Sequence, residues 1–469
     1  EAKTSKSTRI EVVTEGILTR MLQSDPDLPG VGAVIFDEFH ERSLNGDLGL
    51  AFCLEVAGAL RDDLLLLAMS ATLDAGPVAA LMDAPIVTSE GRSYPVETRW
   101  LDSPLPAKAR KLDALVDLVA RAEGETRETG GGLLVFLPGE GEIRRAASAL
   151  ETRLPGHCQI RPLFGALPFA EQRAAIAPVS EGRKVVLATS IAETSLTIED
   201  IRVVVDMGQA RRARFDPGAG MSRLVTERVT RAEATQRQGR AGRVAEGTCY
   251  RLWSKGEEGA LMAYPPAEIE AADLTGLALE LALWGAEPAD LPLLTQPPAG
   301  SLSEARALLQ MLGALDAQMR ITDHGRALAR LPLHPRLAHM LAMAGPESAT
   351  LAALMADRDP LRGAPVDLAL RLEALRDLRR FRDRRPYQVK TPALQAITSE
   401  AKRLRRQRGG QNDASTNAAG RPAAPAAGRG EARLARRARG PARQRDRDRG
   451  ARGDRGRQDA RGAHPDRLP

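Results

Sequence analysis

The sequence predicts an α/β chain of two successive parallel-sheet domains, followed by a helical region and an arginine-rich tail. Three observations carry that prediction. Short apolar runs alternate with amphipathic stretches, the rhythm of βαβ units in a doubly wound sheet. The rhythm pauses at a stretch holding Gly91 and Pro95 and then restarts. From about Ala267 only helical spacing remains, and beyond Arg405 large apolar residues all but vanish.

Taken in order, "VGAVIFDE" and "LLLLAMSATL" read as buried parallel strands, with the helix "DLGLAFCLEVAGAL" between them. "SEGRSYPVETRW" suits a linker. "GGGLLVFLPG", "CQIRPLFGAL", "RKVVLATS" and "IRVVVDMG" read as strands of a second sheet, and "EGEIRRAASALETRL" and "FAEQRAAIAPV" as its helices. "AEIEAADLTGLALELALWG", "SEARALLQMLGALD" and "PRLAHMLAMA" begin the helical region. The expected bounds are 1–92 and 93–258 for the sheet domains, 259–345 and 346–404 for two helical parts, and 405–469 for the tail. The tail's only large apolar residues are Leu434 and Leu468, too few for a core, so it is expected to be disordered. It reads as solvated chain, a composition that a GC-rich gene yields out of frame, in preference to an RNA-binding arm.

Charge is unevenly placed. The chain's formal +6 includes 18 Arg against 7 Asp plus Glu from residue 405 onward, a local +11 that leaves −5 for residues 1–404. Bulk charge therefore gives no argument for nucleic acid, and any such site must be a local patch. No run of about 18 uncharged apolar residues occurs, so no membrane helix is predicted. The polar opening "EAKTSKSTRIE" is not a secretion signal, and a start at Glu1 is expected of a fragment. Cys53, Cys158 and Cys249 are widely spaced and odd in number. They argue against a disulfide framework or a zinc site, fit a reducing cytoplasm, and read as plain buried thiols.

The chemistry-bearing stretches come next. Asp37 and Glu38 end an apolar run, and His40 follows. An acidic pair at a buried strand's end is a usual device for holding Mg²⁺ beside a nucleotide's phosphates, although an exposed acidic loop looks the same. "MSATLDA" puts Ser70 and Thr72 past the next strand, where they could bridge to a neighbouring domain or simply cap a helix. In "QRQGRAGR" (236–243), Arg237, Arg240 and Arg243 recur every third residue and would line one face of a helical turn. Their planar forks suit phosphate oxygens. A solvated basic face would not explain two glycines, each costing about 1 kcal/mol within a helix.

"DEFH", "SAT", "ATSIAETSLTIEDIRVVVDMG" and "QRQGRAGR" occur in the order and spacing of superfamily 2 DEAH-box helicases, and the chain resembles that family from about Ile10 to about Leu378. "DEFHERS" with "EVVTEGILTRML" is most similar to the bacterial HrpB-type branch. The resemblance implies two RecA-like domains, the first truncated, then winged-helix and partial ratchet segments. It implies that Asp37 and Glu38 hold Mg²⁺ and position the hydrolytic water of ATP, and that His40 links nucleotide state to the second domain. Ser70 and Thr72 would couple hydrolysis to strand movement. Gln236, Arg240 and Arg243 would close over the triphosphate, with Ser195 also on the nucleotide side. Thr14, Gly16, Thr189, Thr194 and Thr197 match positions expected to grip a nucleic-acid backbone without reading bases. The implied activity is ATP-dependent 3′ to 5′ movement on single-stranded or structured RNA, with DNA also possible, by a cytoplasmic, monomeric protein.

Three departures stand against the pattern. Ser190 replaces the usual Asn, and Asp200 the usual Gly. No Gly-Lys dipeptide occurs, so the GxxxxGK[ST] phosphate loop is missing, which makes a non-catalytic nucleic-acid-binding module or relic the alternative. His157, His324, His334 and His339 read as structural or surface groups, His334 and His339 being five apart rather than at helical metal-pair spacing. Trp253, near the end of a strand, reads as core.

Overall fold

The computed structural model describes residues 5–418 except 6, 72–74, 90–92, 194–197, 199 and 217–219, and only the backbone of Met221 and of 408–418. The chain divides into units 1–421 and 422–469, the second of which lies outside the described residues. Among the described residues no helix is long and apolar enough to cross a membrane.

The first α/β region holds two strands, β1 (Ala33–Phe36) and β2 (Leu65–Ala68), paired in parallel around the helix Leu44–Ala59. These strands are not the buried runs their apolar content suggests. Ile35 is 57% and Leu65 67% exposed, because the described chain covers only one face of this two-stranded sheet. Val34 and Phe36 face the other way and are buried with Leu18, Leu48 and Phe52.

The second region is built on six parallel strands. They are β3 (Val96–Leu101), β4 (Gly132–Phe136), β5 (Cys158–Leu163), β6 (Arg183–Ala188), β7 (Ile201–Asp206) and a last strand, Gly247–Ser254. Their spatial order is β3, the last strand, β7, β4, β6, β5. β3 lies inside the stretch expected to be a linker; its register with the last strand makes it a sheet edge. β4 and β6 are buried throughout and alternate between two cores. Leu133, Val135, Val185 and Leu187 pack under the helices Lys111–Glu125 and Glu140–Glu151, while Leu134, Phe136 and Val186 pack beneath Ala192 and Ala241. Trp253 is core, 4% exposed. An antiparallel hairpin absent from the sequence reading, β8 (Gln209–Asp216) and β9 (Met221–Arg228), projects after β7. It is laced by Arg214 to Glu227 (2.7 Å) and tied to the following helix, Arg231–Gly239, by Arg212 to Glu233 (2.5 Å).

The helical region shares its core with the first α/β region: Leu277, Leu281, Leu309 and Leu341 join Leu22, Leu48 and Val56. Phe52 and Trp284 stack at 4.1 Å, and the Trp284 indole donates to Glu55 (2.7 Å). The final helix does not stop where the tail was expected to begin. Thr391–Ala418 continues past 405, with Leu404 fully buried and Arg405 donating to Thr350 (2.6 Å). The rest of the expected tail lies outside the described residues.

Candidate active site

The acidic corner starts where β1 runs out. Phe36 O accepts from the Met69 amide (2.8 Å) and Met69 O from the Phe39 amide (2.9 Å), so the loops after β1 and β2 are stitched together. Between them the backbone makes a single 3₁₀ turn, Phe39–Glu41, flanked by Glu38 (φ 51°) and Arg42 (φ 49°). Both are left-handed, a conformation costing a non-glycine residue roughly 1–2 kcal/mol. The two reversals turn Phe39 and His40 inward and leave Asp37 exposed and Glu38 half-buried. Asp37 accepts from the Glu38 amide (2.9 Å). His40 Nδ1 lies 3.5 Å from Glu38 and accepts from the Ala71 amide at 3.5 Å.

Strain of this kind persists only where the surroundings over-determine it. Here they do. Arg42 donates twice to buried Asp47 (2.9 and 2.7 Å) and once to Thr295 of the helical region (2.8 Å). Arg42 O accepts from the Glu268 amide (3.1 Å), and the Glu268 carboxylate accepts from the Leu44 amide (2.7 Å). Ser43 caps the next helix by accepting from Gly46 (2.9 Å).

The opposing wall is the helix Arg231–Gly239 and the 3₁₀ turn Arg240–Gly242. A reciprocal capping box between Thr230 and Glu233 fixes its start. The three arginines do not share a face. Arg237 points into the domain, 1% exposed, donating to Glu193 (2.6 Å) and Asp206 (2.8 Å) over the Phe136 ring (4.9 Å). Burial alone would lower its pKa, but Asp206 and Glu193 outweigh that and hold it above the usual value. The helix gives way to a tighter turn after Gly239, which breaks the expected every-third-residue alignment. Arg240 is buried and donates to Glu193 O, while Arg243 is exposed. Burial and the neighbouring Arg243 charge push the Arg240 pKa down to about 10, against a smaller upward pull from Glu38.

The two walls meet. Gln236 and His40 share a 3.3 Å hydrogen bond between their Nε2 atoms. Glu38 and Ala71 on one side, and Glu193, Gln236, Gly239, Arg240 and Arg243 on the other, line a cleft of about 160 Å³. The Glu38 carboxylate at one wall and guanidinium groups at the other suit a polyanion carrying a hard divalent cation, for which Glu38 has the oxygen chemistry; Asp37, exposed beside it, does not line the cleft.

The remaining expected residues are scattered. Ser70 is exposed just after β2, while Thr72, Thr194, Ser195 and Thr197 lie outside the described residues. Thr14 stands exposed at the N-cap of the helix Glu15–Ser24, its carbonyl accepting from Ile17 (2.9 Å). A Cβ on Gly16 would meet nothing nearer than Asn45 at 3.8 Å, so packing does not require the glycine. Thr189 is half-buried at the carboxyl end of β6. None of the three lines the cleft. Sequence reasoning missed Glu193, although it sits within "ATSIAETSL"; a lone carboxylate among hydroxyls beside a buried strand was the signal. It also missed the Arg42–Glu268 clamp, for which the local sequence offers none. Asp200, unusual beside the family pattern, has a local reason: it pairs with buried Lys184 at 2.6 Å.

Comparisons with known proteins identify the family this chain resembles. Residues 110–245 match the helicase conserved C-terminal domain, and 305–333 the winged-helix part of the helicase-associated domain HA2. The chain is 50% identical over 370 residues to the ATP-dependent RNA helicase HrpB of Escherichia coli, covering 78% of this chain and 45% of that protein. It is 37% identical over 351 residues to the pre-mRNA-splicing factor ATP-dependent RNA helicase prp22 of Schizosaccharomyces pombe, covering 73% and 30%. The crystal structure of the E. coli DEAH/RHA helicase HrpB superposes with a TM-score of 0.74 at 45% identity, over 86% of this chain and 49% of that one. The chain thus spans less than half the length of these relatives.

Proposed function

Over the residues it shares with them, the chain belongs to the HrpB-type DEAH-box RNA helicases, and on that premise we propose that its cleft is the triphosphate site of an ATP-driven RNA motor. One observation carries the reading: Glu38 of the first α/β region and Gln236, Arg240 and Arg243 of the second line one cleft. Asp37 and Glu38 would hold Mg²⁺, which when bound neutralises phosphate charge, and Glu38 would orient the attacking water. Arg240 and Arg243 would act as fingers on the triphosphate, with Ser195 nearby. His40 and Gln236 would report closure between the walls, and Ser70 and Thr72 would carry it toward the strand. Thr14, Gly16, Thr189, Thr194 and Thr197 would hold RNA by its phosphates, leaving base identity unread. Movement would run 3′ to 5′ on single-stranded or structured RNA, with DNA tolerated, in a cytoplasmic monomer.

A second reading concerns this chain as it stands. It contains no Gly-Lys dipeptide, and hence no GxxxxGK[ST] loop to cradle the phosphates. On this reading the 469 residues would still bind RNA but would turn over ATP negligibly. RNA-stimulated ATPase and RNA binding should be measured together on the whole chain. RNA binding that weakens at least tenfold in Thr189→Asp, with no turnover, is expected. Turnover near the ordinary enzyme range of about 10 per second sinks the second reading. Binding indifferent to Thr189→Asp sinks the RNA path.

A further inference from the structure

The parallel sheet of the second region has another end. At the amino ends of its strands, about 20 Å from the cleft if a six-residue strand rises about 3.3 Å per residue, three unlike donors converge. A Glu123 carboxylate oxygen, a His157 ring nitrogen and Cys158 Sγ all lie within 4.8 Å of one another, and His157 Nε2 is 3.4 Å from Glu123 Oε1. Donor atoms around a tetrahedral zinc ion stand about 3.5 Å apart, given bonds of roughly 2.0–2.3 Å. One pair is therefore at coordination spacing, and the third donor needs at most about 1.3 Å of adjustment.

The backbones carrying these donors are fixed. His157 O accepts from the Arg183 amide (3.0 Å), and a Cβ on Gly182 (φ 77°) would stand 2.2 Å from that oxygen. The Cys158 amide donates to Pro155 O (2.9 Å). Glu123 is on the helix Lys111–Glu125, and its own carbonyl accepts from the Arg183 guanidinium (2.9 Å). Arg183 spends its other donors on Gly131 O and Thr126 Oγ1, both at 2.8 Å. It thus braces the cluster from behind without hydrogen-bonding to the Glu123 carboxylate, 3.8 Å away. Arg127 does occupy that carboxylate, at 3.1 and 2.7 Å, but its side chain is 55% exposed. Glu123 is the buried member of that pair, so an incoming cation must take over from Arg127 as the carboxylate's counter-charge.

We propose that Glu123, His157 and Cys158 form a binding site for a zinc-class divalent cation, with a fourth position open to water beside the half-exposed His157. A mixed oxygen, nitrogen and sulfur set favours zinc over magnesium or calcium. On binding, the Cys158 thiol gives its proton to solvent and Arg127 swings out; carboxylate and thiolate together balance the ion's charge. The site ties helix Lys111–Glu125 to the start of β5 and takes no part in the cleft.

Cobalt(II) is the probe, titrated into the untagged full chain and then displaced with zinc. Expected are one cobalt per chain, tetrahedral d–d bands and a sulfur-to-metal charge-transfer band, all abolished by equimolar zinc. Cys158→Ser should lose the charge-transfer band, and Glu123→Gln or His157→Ala should weaken binding at least tenfold. Cys53→Ala with Cys249→Ala should leave the spectrum intact, and Arg127→Ala should tighten binding, which damage to the fold would not do. No charge-transfer band, an octahedral spectrum, a band that survives Cys158→Ser, or no gain in Arg127→Ala overturns the proposal.

Discussion

The two α/β regions hold their halves of the cleft in opposite ways. The second carries Gln236, Arg240 and Arg243 on a six-stranded sheet, and the anchors of that turn, Glu193, Asp206 and Phe136, belong to the same region. The first carries Asp37, Glu38 and His40 on two strands. Its anchors Glu268 and Thr295 lie 224 and 253 residues from the groups they hold. One wall is self-contained, and the other forms a single packed body with the helical region. A rearrangement among the helices can therefore reach the acidic corner without passing through the second sheet.

The comparison breaks most visibly at Arg237. Removing it leaves two buried carboxylates without their cation, and losing one partner of a buried pair costs about 3–5 kcal/mol. Arg237→Ala should stand at the upper end of that range in urea unfolding. The loss of amide-exchange protection should be confined to residues 132–253. Protection lost equally in helix Leu44–Ala59 would mean the second wall is not self-contained.

Arg42→Ala tests the other wall and should cost about 3 kcal/mol, since it leaves Asp47 buried without its cation. Here exchange should quicken together in Leu44–Ala59 and Thr275–Trp284, far apart in sequence but in one core. A change limited to 37–47 would show the clamp to be merely local.

These contrasts explain what could be read from the sequence. β4, β6 and β7 were legible because strands buried on both faces are continuous apolar runs bounded by polar residues. β8 and β9 were not, because arginines and acids are interspersed among their apolar residues, some paired across the hairpin, which hides the alternation. Glu38, Gln236, Arg240 and Arg243, which meet at the cleft, all lie in stretches that the sequence singles out by residue type. The inward turn of Arg237 was not, since its fate depends on Glu193 and Asp206, 44 and 31 residues away. Nor does any residue near Arg42 announce Glu268. Local pattern reveals which residue types chemistry needs; tertiary partners decide which of them face the cleft.

The smallest expected effect sharpens the comparison by pH. Asp273 precedes the helix Thr275–Trp284, in the body shared by the first region and the helices. Burial would raise its pKa, but hydrogen bonds from His334 (2.9 Å) and Thr275 prevail and draw it down to about 2. A depressed carboxyl pKa contributes stability that is complete above the unfolded value, about 4, and is lost as pH falls through the folded one. At 1.36 kcal/mol per pKa unit, the contribution at neutral pH is about 2 kcal/mol. Asp273→Asn should therefore be less stable than the parent by about that much at pH 7, with the gap closing as pH approaches 2. If the shared body is real, the loss at pH 7 should speed exchange in Leu44–Ala59, on the far side of the Phe52–Trp284 stack. The second sheet should not notice. A gap that persists undiminished to pH 2 would remove the hydrogen-bonded carboxylate as its cause, and an unaffected Leu44–Ala59 would divide the body in two.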